Sequence, residues 1–333
     1  MTSTPTERSA PRAADPQPHV GGVRVVVALG GNAISRPGEG GTVEEDYVNL
    51  GRSLAGVVEL LERGYEVTLT HGNGPQVGNQ LIRVEVARGQ APNLPLDVVV
   101  ADLQGGLGYM IERVLRNLLL RRGLEVPLCA LITQVAVDPD DPALAEPSKF
   151  VGPFFTEEEI RPLAEERGWT IKEDPGRGWR RVVPSPVPKS IIEADLIRTL
   201  VDAGAMVIVT GGGGIPVARS RRGFLRGVEG VIDKDRASAV LANELDAPEL
   251  YILTGVEQVM LDFGTADERP VARMSVAEAR RHLADGQFPA GSMGPKIEAA
   301  CQFLENGGER VLITDIDTMI AALDGETGTW IVP

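Results

Sequence analysis

The stretch VVVALGGNAI, residues 25–34, decides the fold of this chain, because a solid β-branched block runs straight into two glycines. A half-buried strand alternates apolar with polar residues, whereas a run that is apolar at successive positions has both of its faces to bury. VRVVVAL therefore predicts an interior strand of a sheet covered on both sides. Working outward, EEDYVNLGRSLAGVVELLERG carries Leu50, Leu54, Val57, Val58 and Leu61 on one helical face and stops at Gly64. YEVTLT is the next strand, ending at HGNGPQVG. The alternation continues with a long helix around GYMIERVLRNLLLRRG, a strand VPLCALITQV, a helix SIIEADLIRTLVDAG and a strand AMVIVT ahead of GGGGIPV. Helix KDRASAVLANELD, strand ELYILT, helices near 276–283 and 296–304 and strand RVLIT complete it. Such a succession predicts an α/β fold, with a mainly parallel sheet between helices on both faces.

Composition excludes several function classes. A formal charge of −14 repels phosphate over most of the surface, which argues against a broad nucleic-acid or anionic-membrane interface. No apolar run approaches the roughly 20 residues that span a bilayer. The opening MTSTPTERSAPRAADPQPHVGG, residues 1–22, has no apolar centre and carries acids and four prolines, so it reads as a disordered leader and not a signal peptide. Cys129 and Cys301 stand in apolar surroundings far from each other, and His19, His71 and His282 are too scattered for a metal site. Two buried reduced thiols and a cytoplasmic location are expected.

One segment breaks the rhythm. Residues 138–188 hold nine prolines together with Phe150, Phe154, Phe155, Trp169 and Trp179, in a chain with only 4% aromatics. A structureless loop of that length is uncommon inside a compact domain, so a small protruding subdomain or lid is expected there.

Three strand ends carry glycine-rich loops: ALGGNAI, THGNGPQVG and VTGGGGIPV. In open α/β sheets ligands sit at the carboxyl ends of strands, where glycine lets backbone N–H groups approach an anion. Gly211, Gly212, Gly213 and Gly214 cost conformational entropy and fill no space, which close approach of a phosphate would compensate. Neither G-x-x-x-x-G-K-[ST] nor a G-x-G-x-x-G after a strand occurs, so positive charge must come from elsewhere. The chain has five lysines, and Lys149, Lys234 and Lys296 sit at loop or helix-start positions, while Lys172 and Lys189 read as solvated. A lysine at a helix start opposes the macrodipole, a penalty that a bound anion reverses. Asp233 and Asp235 flank Lys234, and either could hold the ammonium in position.

Together ALGGNAI, HGNGPQVG, EPSKFVGPFF, SPVPKSIIE, TGGGGIPV, GVEGVIDKDRASAVLA, ILTGVEQV and GSMGPKIEAA closely resemble the carbamate kinases of the amino acid kinase superfamily, in order from about Val23 to the C-terminus. The resemblance implies a three-layer α/β/α sandwich over 23–333 and a homodimer. It also implies reversible phosphoryl transfer between ATP and carbamate, giving ADP and carbamoyl phosphate, with Mg2+ held mainly by phosphates and not by protein side chains. It places Gly30, Gly31, Asn32, Gly72, Asn73 and Gly74 at the carbamate and phosphoryl site. Lys149, Lys234, Asp235 and Lys296 become the catalytic set, with Gly211 to Gly214 passing the nucleotide phosphates. Leu253, Thr254, Gly255, Val256, Met293 and Pro295 would border the adenine. Ser148, Phe150 and Gly294 depart from the family's usual threonine, proline and larger apolar residue. Two other readings stay open: a kinase of this fold acting on another small carboxylate or phosphonate, and a nucleotide-binding sensor without catalysis.

Overall fold

A computed structural model describes residues 22–36, 41–174, 176–289 and 291–333; the expected leader lies outside them but for its last residue, Gly22. An eight-stranded sheet forms the centre. From edge to edge its strands are Arg273–Ser275, Thr329–Val332, Arg310–Asp315, Glu249–Thr254, Arg24–Leu29, Glu66–His71, Met206–Ile208 and Leu128–Ala130. Every pairing is parallel except that of Arg310–Asp315 with Thr329–Val332. The strand that opened the sequence argument lies in the interior, between Glu249–Thr254 and Glu66–His71.

Its unbroken apolar pattern is explained by two separate cores, one on each face of the sheet. Val25, Val27 and Leu29 pack with Leu50, Leu54, Val57, Ile111 and Leu115 from the helices Val43–Ser53, Ala55–Glu62 and Leu96–Arg122. Val26 faces the other way, toward Leu241, Ile297 and Phe303 from the helices Lys234–Glu244 and Met293–Glu305. Fully burying one such side chain contributes about 1.5–3 kcal/mol, so a polar residue at any of these positions would destabilise one core. This is the three-layer α/β/α arrangement.

Local chemistry sets the helix ends. Thr42 and Glu45 form a reciprocal capping box on Val43–Ser53, and Leu96–Arg122 ends at Gly123 in the left-handed region, φ 69°. That helix runs 27 residues, about 40 Å, and starts well upstream of the expected segment.

Two expected elements divide. VPLCALITQV becomes two strands, Leu128–Ala130 in the central sheet and Gln134–Val137 in a second, four-stranded sheet. The side-chain amide of Gln104 takes both backbone groups of Thr133 between them, donating to its carbonyl and accepting from its N–H. SIIEADLIRTLVDAG yields a strand, Pro188–Ile191, paired with Gln134–Val137, before the helix Ala194–Asp202 begins.

Within 138–188 the chain forms an antiparallel sheet of Lys149–Phe155, Gly178–Val183 and Thr170–Asp174, with the helix Glu157–Arg167. Its apolar residues Val151 and Val183 pack against Val77, Leu96 and Val99 of the helices Gly74–Val86 and Leu96–Arg122, so this subdomain shares its core with the body.

Candidate active site

The carboxyl ends of the parallel strands bring the glycine loops together. A Cβ on Gly30 would lie 2.8 Å from the Leu253 carbonyl oxygen, and one on Gly72 would lie 3.1 Å from the Gly31 amide nitrogen and 3.4 Å from Lys234 Cδ. Gly30, Gly31 and Gly72 therefore make a floor with no side chain, with Lys234 over one edge. Asn32 contributes its backbone to the short turn Gly31–Ala33; its side chain lies outside the described residues. Asn73 is the N-cap of Gly74–Val86 and is buried, and its Nδ2 has no partner. An unpaired buried donor costs about 1–3 kcal/mol, so a site that takes up an acceptor there recovers that cost. Gly74 opens the helix at an exposed position, with free space where a Cβ would stand.

The four consecutive glycines turn out to be set by packing. Cβ atoms there would lie 2.5 Å from His71 Nε2, 2.1 Å from Asn73 Nδ2, 2.4 Å from the Ile232 carbonyl and 2.2 Å from Val135 Cγ2, in order from Gly211 to Gly214. Gly211 packs on His71 and Gly212 on Asn73, and all four are buried; the open cleft is lined by other residues. Gly212 also has φ +67°. Gly212→Ala should cost about 1–2 kcal/mol for the left-handed backbone and displace Asn73. Activity should therefore fall by more than the shift in melting temperature accounts for, which parallel kinetic and thermal measurements check.

The charged groups form one connected cluster. Asp235 Oδ1 accepts from Lys234 Nζ at 2.5 Å and its Oδ2 from Lys296 Nζ at 2.9 Å, while Asp233 Oδ2 accepts from Lys149 Nζ at 3.0 Å. Asp233 Oδ1 caps the Lys234–Glu244 helix through the amides of Asp235 and Arg236. Side-chain exposure is 3% for Asp235, 12% for Lys234, 17% for Lys296 and 41% for Lys149, so the subdomain lysine is the accessible one. Burial works to raise the Asp235 carboxyl, but Lys234 and Lys296 outweigh it and hold it at about 2. Burial also pushes Lys234 below its ordinary value, with Lys296 adding to it and Asp235 opposing. Three ammonium groups over two carboxylates leave a net positive charge beside the glycine floor.

Lys296 is the fourth residue of Met293–Glu305, whose N-cap Ser292 makes no side-chain cap bond and whose first turn has no acidic residue. An uncapped, positively charged helix start suits an anion. It borders a cleft of about 590 Å³ lined by Gly30, Gly31, Lys234, Lys296, Leu253, Thr254, Gly255, Gly291 and Ser292, with Arg36, Asp315 and Asp317 also in the lining. Val256 is exposed next to this lining, and Met293 and Pro295 are half-buried in the first turn of the helix. A side chain at Gly294 would be tightly placed, because a Cβ would come 3.1 Å from the Pro289 carbonyl oxygen and that backbone would have to give by a few tenths of an ångström. Phe150 lies 5.7 Å from the guanidinium of Arg180.

Sequence reasoning missed several residues. Gln104 bridges Thr133 to the Gly211 carbonyl, Thr210 adopts φ +46° with a buried hydroxyl that has no partner, and Arg36, Asp315 and Asp317 line the cleft. None has a local signal, since each acts through a distant segment. Cys129 is half-buried and Cys301 fully buried, both free, while Lys172 and Lys189 are exposed. His71 is fully buried, with Nδ1 at 3.0 Å from the Gly72 carbonyl oxygen, and burial lowers its pKa to about 4. A base with a lowered native pKa gives stability that is complete above its unfolded value near 6.5 and lost as pH falls toward 4. The loss reaches about 3 kcal/mol. Melting temperature should drop over that interval, and His71→Gln should remove that part of the drop.

Among the described residues no cluster of three or more His, Cys, Asp or Glu side chains is arranged for a metal ion, and no helix is long and apolar enough to cross a membrane. The amino acid kinase family model matches residues 23–315. The carbamate kinase of Pyrococcus furiosus is 48% identical over 94% of this chain and 100% of its own length. That of Pyrococcus horikoshii is 47% identical over 93% and 99%. The structure of carbamate kinase from Giardia lamblia bound to AMP-PNP superposes with a TM-score of 0.88 at 39% identity, over 94% of this chain and 99% of that one. The chain therefore belongs to the amino acid kinase family and, within it, to the carbamate kinases.

Proposed function

We propose that this chain catalyses reversible phosphoryl transfer between ATP and carbamate, giving ADP and carbamoyl phosphate. The observation that carries the reading is the connected cluster Lys149–Asp233 and Lys234–Asp235–Lys296, set over a glycine floor at the mouth of a cleft of nucleotide size. Its relatives at nearly half identity are carbamate kinases, and one solved neighbour binds an ATP analogue.

In this reading the small substrate lies against Gly30, Gly31, Gly72 and Gly74, with Asn32 and Asn73 beside it and the buried Nδ2 of Asn73 donating to it. The carbamate oxygen already carries its lone pair, so its attack on the γ-phosphorus needs no side-chain base. The bond to the bridging oxygen breaks as the new one forms, and the electron pair leaves on ADP. Such a transition state is loose, and the protein's part is to align two anions and stabilise spread charge. Lys234 and Lys296 take the phosphoryl and leaving oxygens, and Asp235 holds both ammonium groups in place. Lys149 leaves Asp233 to reach the substrate as the subdomain closes. Gly211 and Gly212 act at one remove, packed on His71 and Asn73, with Gly213 and Gly214 fixing the same turn against Ile232 and Val135, while Leu253, Thr254, Gly255, Val256, Met293 and Pro295 border the nucleotide.

The donor set suits a magnesium ion held mainly by phosphates and water. Asp233 and Asp235 are engaged by lysines and Asp317 pairs with Arg36 at 3.2 Å, so these three carboxylates already have cationic partners. Bound magnesium would neutralise charge on the nucleotide phosphates. We place the enzyme in the cytoplasm, running toward ATP in the breakdown of arginine or purines, and as a homodimer. The edge strand Leu128–Ala130, with exposed Tyr109 and Ile132 beside it, offers a second copy a surface. A coupled assay with ADP and carbamoyl phosphate tests the activity; phosphorylation of another carboxylate but not carbamate would replace this substrate assignment.

A further inference from the structure

A second cavity lies where the subdomain meets the helix Gly74–Val86, outside the phosphoryl site. Its volume is about 330 Å³, at the small end of the range for small-molecule pockets. Leu81 and Val86 form the body wall, and Val151, Phe155, Leu163 and Trp169 form the subdomain wall. The backbones of the two halves touch close by, a Cβ on Gly78 being 3.8 Å from Gly152 Cα.

The polar groups at this cavity are few and specific. Arg167 and Arg181 both line it, their guanidinium carbons 5.0 and 5.4 Å from the centre of the Trp169 ring. Each charge is already matched, Arg167 by Glu85 at 2.5 Å and Arg181 by Glu229 at 3.0 Å. One group is left over: Arg167 Nε is buried and has no hydrogen-bond partner. Glu85 also lines the cavity, so a second carboxylate at Arg167 would meet a like charge. A neutral carbonyl would satisfy Nε without that repulsion.

We propose that this cavity binds a neutral, mainly apolar molecule of one or two rings, its single carbonyl accepting from Arg167 Nε and its rings packed on Trp169 and Leu81. Such an occupant touches both the helix that starts at Asn73 and Gly74 and the strand that starts at Lys149. The site does not depend on the identity of the phosphoryl acceptor.

The probe is 6-propionyl-2-dimethylaminonaphthalene, a neutral ketone whose emission shifts to the blue in apolar surroundings. Titration of the full-length protein should give one site per chain, with a blue shift and quenching of tryptophan emission. Leu81→Trp fills the cavity from the body side, and Val86→Trp blocks it from a position that is 74% exposed and therefore tolerant of change. Either should weaken binding at least tenfold while leaving the melting temperature of the free protein within a few degrees. Arg167→Lys keeps a cation for Glu85 but removes Nε, and should weaken the ketone about fivefold. The same variant should leave 2-dimethylaminonaphthalene, which lacks the carbonyl, unchanged. No saturable binding, or binding indifferent to both tryptophan variants, overturns the site; equal loss of both probes in Arg167→Lys overturns the carbonyl contact.

Discussion

Lys296→Ala should lower the rate of ATP formation from carbamoyl phosphate and ADP by about 10²–10³-fold, the usual cost of removing one preorganised donor from a transition state. The expectation rests on where the ammonium is held. It stands on an uncapped helix start that borders the cleft, and Asp235 fixes it at 2.9 Å before any substrate arrives. A donor that need not reorganise acts on charge as it develops, so the loss should fall mainly on kcat, with a smaller change in KM. Lys234→Ala should behave alike, since Lys234 Nζ is fixed on the other oxygen of the same carboxylate. Near-normal turnover in either variant would contradict the roles proposed for this pair.

Asp235→Ala should be the most damaging single change to both stability and activity. It leaves Lys234 and Lys296, each less than one-fifth exposed, facing one another without their shared counter-ion. Breaking a buried pair by removing one partner costs about 3–5 kcal/mol, because the remaining charge is uncompensated. In a chain of this length that lowers the melting temperature by several degrees. The wild-type carboxyl, held at about 2, gives stability present above its ordinary value near 3.8 and lost as pH falls through 2. The variant should lack that acid limb. Raising the pH of the Asp235→Ala protein should restore some stability, since Lys234, which burial already holds below its ordinary value, can then lose its proton. A variant as stable as wild type at neutral pH would show that Asp235 is not the hub of the cluster.

The parts of this fold that local pattern specifies could be read from the sequence. The run from Val25 to Leu29 announced a strand covered on both faces, and its two sets of side chains do enter two different cores. Helix periodicity and stop signals located most helices, while Gln104 divided one expected strand in two by a contact across 29 positions. The lysines at 149, 234 and 296 were legible because so few compete with them, and the structure brings all three onto two neighbouring aspartates. The glycine tetrad shows the limit of composition. Four glycines signal close approach, yet what approaches is His71, Asn73, Ile232 and Val135, which no local pattern names. His71 was legible only as a lone histidine; its neutral, buried state follows from strands distant in sequence closing over it.

The most direct test is to supply the purified protein with ADP, magnesium and carbamoyl phosphate and to follow ATP by a coupled assay. ATP should appear in proportion to enzyme, at a rate that Lys296→Ala lowers by about 10²–10³-fold. Tight ADP binding with no ATP formed would contradict the account and leave a nucleotide-binding protein in its place.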